Sequence, residues 1–104
     1  MISAGIHNKN KYLKKVRRIV FNFISPTQAK VYLFGSWASG KPQRYSDIDI
    51  GILSNRTLPE GLLSELRESL EESHIPYRVE IIDLTETNKI FRKNVLKDGV
   101  LWKH

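Results

Sequence analysis

Residues 47–53 read Asp-Ile-Asp-Ile-Gly-Ile-Leu, and this strict alternation leaves little choice of local structure. Successive side chains of an extended chain point to opposite faces. Ile48, Ile50 and Ile52 therefore form one face, and Asp47, Asp49 and Gly51 the other. A helix would scatter the three isoleucines around its circumference, whereas a half-buried strand lines them up against a core. The same geometry sets two carboxylates on one side, about 6 to 7 Å apart at a rise of about 3.3 Å per residue. Like charges held together call for positive charge between them. Hard carboxylate oxygens converging on one point suit Mg2+, which takes carboxylates together with phosphate oxygens.

The remaining elements follow around this strand. Tyr12, Leu13, Val16, Ile19, Val20, Phe23 and Ile24 recur at helical spacing and predict an amphipathic helix that Pro26 ends. Lys30–Phe34 is a β-branched and aromatic run closed by Gly35, hence a strand. Residues 35–46, rich in Gly, Ser, Lys and Pro, form the loop before the Asp-Ile-Asp strand. After a turn over residues 54–61, Leu62, Leu63, Leu66 and Leu70 predict a helix over 62–72. Residues 77–84 predict a third strand. A last helix follows, with Thr85 or Thr87 as N-cap and Gly99 as its stop. Val100–Trp102 adds a short edge strand. The expected fold class is α/β (α+β), a small mixed sheet flanked by helices in the order α-β-β-α-β-α, with residues 1–104 forming one domain.

Composition narrows the function classes. A chain of 104 residues can bury one modest core. The absence of cysteine excludes disulfides, thiolate nucleophiles and Cys-ligated zinc. No apolar run approaches the roughly 18 residues of a membrane span, and the N-terminus is too polar for a signal peptide. A cytoplasmic protein with no membrane association is expected. Much of the net charge of +6 comes from Lys9, Lys11, Lys14, Lys15, Arg17 and Arg18. These share the first helix with its apolar stripe and read as its solvated face, so nucleic acid is not indicated. His7, His74 and His104 have neither metal-ligand spacing nor a paired acid, and Ser36 has no triad partners.

The loop before the aspartates carries the second functional signal. Gly35-Ser36 closes a strand and leaves backbone N–H groups free for phosphate oxygens. Gly35 permits close backbone approach, and Ser36 adds a hydroxyl. Lys41 and Arg44 lie in the same loop and can neutralise phosphate charge. Gly35-Ser36, ten residues, then Asp47-Ile48-Asp49 resembles the GS-x10-DxD signature of the DNA polymerase β-like nucleotidyltransferase superfamily. The wider stretch VYLFGSWASGKPQRYSDIDIGIL is similar to minimal nucleotidyltransferase (MNT) domains, and the likeness runs from about residue 30 to the C-terminus.

The resemblance implies a polymerase β-like nucleotidyltransferase fold and a two-metal nucleotidyl transfer. Asp47 and Asp49 would hold Mg2+, and Gly35 and Ser36 the phosphates of ATP, the default donor. It also implies a third carboxylate on a later strand. By position that is Glu80, where relatives commonly carry Asp. Glu80 and Asp83 have opposite strand parity, so one of the two faces Asp47 and Asp49. Trp37 stands where relatives often carry Arg, either stacking on a base or packed within its loop. MNT proteins are usually paired with HEPN-domain proteins from a neighbouring gene. The resemblance therefore implies a hetero-oligomer in which the chain is an antitoxin that transfers AMP to a tyrosine of a HEPN ribonuclease. Two alternatives are a non-catalytic antitoxin that neutralises a HEPN partner by binding, and a basic nucleic-acid-binding module.

Overall fold

Helix α1 spans Ile2–Phe23 and ends two residues before Ser25-Pro26, as the proline requires. The structure, a computed structural model, describes residues 2–40 and 46–103, with side chains from Asn10 onward. The helix begins well before the apolar stripe that starts at Tyr12. Periodicity reveals a helix only where apolar residues recur, and Ile2–Lys11 holds too few.

Strand β1 (Ala29–Phe34) runs antiparallel to β2 (Ile48–Ser54). Helix α2 (Leu62–Glu72) then carries the chain across to β3 (Val79–Asp83), which lies parallel to β2. A parallel neighbour requires such a crossover, because a tight turn can only reverse the chain. Helix α3 (Lys89–Asp98) leads into β4 (Val100–Trp102), antiparallel to β1 on its other side. The sheet is mixed, with strand order β3-β2-β1-β4.

The two faces of β2 decide the layering. Ile48, Ile50 and Ile52 are fully buried and join Val31, Leu33 and Ile81 from the neighbouring strands. Val16, Val20 and Ile24 of α1 and Leu66 and Leu70 of α2 close over them. Each fully buried isoleucine contributes about 1.5–3 kcal/mol of transfer free energy, so the register of β2 is held by its apolar face. The aspartates are thereby committed to the opposite face, since a slip of one residue would bury them. On the outer edge of β3, the Arg67 guanidinium of α2 donates to the Ile81 carbonyl at 2.9 Å, placing a cation against an open ladder.

The start of the last helix differs from the expectation. Its N-cap is Asn88, whose side chain accepts from the Phe91 N–H at 2.8 Å, and neither Thr85 nor Thr87. Residues Leu84–Glu86 form a separate 3-10 turn capped by Asp83, which accepts from the Thr85 N–H at 3.0 Å. Thr87 instead donates its hydroxyl back to the Leu84 carbonyl at 2.7 Å. Leu84 is fully buried, and Arg92 donates to the Leu84 and Thr87 carbonyls, so the turn is pinned apart from the helix. Among the described residues, no helix is long and apolar enough to cross a membrane.

Candidate active site

Phe34, the last residue of β1, is paired with Asp49 of β2, so the chain leaves the sheet beside a carboxylate. It turns there at Gly35, whose φ of +75° lies in the left-handed region. A β-carbon on Gly35 would collide with Asp49 Oδ2 and lie 3.3 Å from Asp49 Cγ. Both the backbone angle and the contact demand glycine. Gly35–Trp37 form a 3-10 turn in which the Gly35 carbonyl accepts from the N–H groups of Ala38 and Ser39 at 3.1 and 3.2 Å. The turn that would cradle phosphate is thus in contact with the carboxylate strand.

Asp47 is half-buried just before β2, and Asp49 is half-buried within it. The parallel ladder pairs Asp49 with Glu80 and Ile52 with Asp83. Glu80 therefore lies beside Asp49 on the same face. The Asp83 carboxylate is engaged as the cap of the following turn. Burial, then the charge of Glu80, then that of Asp47 push the Asp49 carboxyl up from 3.8 to about 6. All three causes have one sign, which marks a site short of positive charge.

That donor set fits a hard divalent cation. Among the described residues, no group of three or more His, Cys, Asp or Glu side chains is drawn together as a ready-made metal cage. Mg2+ does not need one, because it is commonly bound by one or two carboxylates with substrate phosphates completing the octahedron. Lys41 and Arg44, the two loop cations of the sequence reading, lie outside the described residues.

Trp37 is packed, not available for stacking on a base. It is 6% exposed, and its indole Nε1 donates to the Ser46 carbonyl at 3.1 Å. Tyr77, half-buried against the core, meets the Trp37 ring edge-on with centroids 4.9 Å apart. Gly51 continues the aspartate face and is covered by Leu84, whose Cδ1 lies 2.7 Å from where a β-carbon would stand. A glycine inside a strand is the sequence signal for such close approach.

The family profile described as "Polymerase beta, Nucleotidyltransferase" matches residues 11–103. The chain is 37% identical over 67 residues to the probable protein adenylyltransferase MntA of Haemophilus influenzae, covering 64% of this chain and 59% of that protein. It is 33% identical over 96 residues to the protein adenylyltransferase MntA of Shewanella oneidensis, covering 91% of this chain and 65% of that one. The chain thus spans less than two thirds of the length of either relative. A chain from the complex of tri-AMPylated Shewanella oneidensis HEPN toxin with its MNT antitoxin superposes with a TM-score of 0.65. That match has 25% identity and covers 91% of this chain and 72% of the other. Because the profile runs from α1 to the end of β4 and takes in the Gly35–Asp49 contact, the chain belongs to the polymerase β nucleotidyltransferase family.

Proposed function

We propose that the chain is a Mg2+-dependent protein adenylyltransferase. It moves AMP from ATP to a hydroxyl, a tyrosine of a HEPN-domain partner encoded by a neighbouring gene, and so acts as the antitoxin of the pair in the cytoplasm. The observation that carries this reading is the pairing of Asp49 with Glu80 beside the Gly35-Ser36 turn. The similarity to adenylyltransferases and to a complex with an AMPylated toxin supports the substrate and partner classes.

The residues divide the work as follows. Gly35 and Ser36, through backbone N–H groups and the Ser36 hydroxyl, hold the β- and γ-phosphates of the leaving pyrophosphate. Lys41 and Arg44 neutralise its charge. Asp47 and Asp49 are the ligands for Mg2+, with Glu80 serving a second ion. When bound, such ions would supply positive charge that stabilises the α-phosphate and the leaving pyrophosphate in an in-line displacement. Where it does not serve the ion, Glu80 accepts the proton of the attacking hydroxyl. As the new oxygen–phosphorus bond forms, the bond to pyrophosphate breaks, and the proton passes to the carboxylate or to solvent.

Incubation with labelled ATP, Mg2+ and the neighbouring gene product tests this directly. Label is expected on a tyrosine of the partner, and it should vanish in the Asp47→Asn/Asp49→Asn variant. A stable complex without label transfer would instead favour an antitoxin that acts by contact alone.

A further inference from the structure

Three segments converge on the candidate site: the Gly35-Ser36 turn, the approach to Asp47, and the start of β3 with Glu80. One side chain touches a neighbour of all three. Trp37 directly follows Ser36. Its indole N–H reaches the carbonyl of Ser46, the residue before Asp47, at 3.1 Å. Its ring packs edge-to-face on Tyr77, three residues before Glu80, with centroids 4.9 Å apart and planes at 77°. Tyr77 in turn meets Tyr12 of α1 at 5.7 Å and 70°, so the contact is anchored in the helical layer.

We propose that Trp37 is a positioning residue that clamps the phosphate-holding turn to the carboxylate strand, and so sets the affinity for Mg2+–ATP. The proposal rests on the nucleotidyltransferase reading of this site. The hydrogen bond joins residues 37 and 46 across the base of the connection between β1 and β2, so it fixes the two exits from the sheet relative to each other. Few side chains can make this pair of contacts. The ring must be large enough to be 94% buried between the loop base and Tyr77 while directing a single N–H at a carbonyl. Phenylalanine supplies the first contact without the second. An arginine would supply donors without the edge-to-face packing.

The experiment uses Trp37→Phe, which keeps an aromatic ring against Tyr77, and Val20→Ala, a buried substitution in α1 outside the turn, as a control for lost stability. In the ligand-free protein, amide exchange at residues 36–39 is expected to quicken roughly tenfold in Trp37→Phe, the loss of about one hydrogen bond. Exchange in α2 should stay as in the wild type. By calorimetry, Mg2+–ATP should bind roughly five- to tenfold more weakly to Trp37→Phe. KM for ATP should rise in step and kcat change much less. The control should melt at a lower temperature with its nucleotide affinity intact. If Trp37→Phe matches the control, with kcat falling in proportion to folded protein and KM unchanged, Trp37 is merely structural and the proposal is overturned. If the wild type fails to bind Mg2+–ATP while the exchange difference persists, the nucleotidyltransferase reading falls instead.

Discussion

Gly35 and Asp49 are in such close contact that a single methyl group on the glycine would occupy the space of the carboxylate oxygen. Gly35→Ala therefore combines two penalties. The left-handed backbone costs a β-carbon about 1–2 kcal/mol, and Asp49 must move. Gly61 is a natural comparison, with φ of +83° and nothing within 4 Å of its would-be β-carbon. Denaturant titration should show both alanine variants destabilised by about 1 kcal/mol or more. Gly35→Ala alone should also slow the proposed AMP transfer by a factor on the order of 10², the usual effect of displacing a reacting group by about 1 Å.

Asp49 couples stability to pH. Its carboxyl titrates at about 6 in the folded chain against an ordinary 3.8, so between these values the folded chain holds a proton that the unfolded chain has lost. Its contribution to stability is thus fully present below 3.8 and is lost as pH rises through about 6. Asp49→Asn should melt above the wild type at about pH 8, with the difference shrinking towards about pH 4. Mg2+ added at the higher pH should raise the wild-type melting temperature and barely move that of the variant. EDTA should reverse the gain.

Glu80 and Asp83 separate cleanly in their expected effects. Glu80→Gln removes a charge beside Asp49 while nearly preserving shape. It should slow transfer by a factor on the order of 10² and let the Asp49 pKa fall back towards its ordinary value. Asp83→Asn keeps an oxygen for the Thr85 N–H and should leave transfer near wild type. Asp83→Ala should cost about 1 kcal/mol of stability as a lost cap. An inactive Asp83→Asn beside a normal Glu80→Gln would reverse the assignment.

Gly51 and Leu84 form a lock between β2 and the turn after β3. Gly51→Ala forces a β-carbon against Leu84 and should destabilise by about 1–3 kcal/mol. Leu84→Ala empties a fully buried position and should cost about 2–5 kcal/mol. In the double variant the added methyl enters the vacated space. Chemical denaturation should therefore show a total loss smaller than the sum of the single losses.

Much of the site was legible in the sequence because its signals are local. Period-two alternation sets Asp47 and Asp49 on one face of a strand, and the same parity separates Glu80 from Asp83. The register of Asp49 with Glu80 was not legible, since parallel pairing depends on how α2 docks and not on either strand alone. The break between Asp83 and Asn88 was hidden for a different reason. Thr85, Thr87 and Asn88 all carry side-chain oxygens able to cap a helix, and burial of Leu84 decides among them. Trp37 was ambiguous because its partners, Ser46 and Tyr77, are distant along the chain.

The strand order has a kinetic consequence. β1 and β2 each have a ladder on both sides, whereas β3 and β4 are the rims of the sheet, with β3 bonded to β2 and held on its outer side by Arg67. Gly35 and Asp49 belong to the interior pair and Glu80 to the rim. A rim strand is the segment that opens locally at least cost, ahead of global unfolding. Fraying of β3 would carry Glu80 away while leaving the aspartates and the Gly-Ser turn in register. On the proposed reading, the chain would then keep its grip on nucleotide through β1 and β2 while pausing its chemistry, with the fold itself intact.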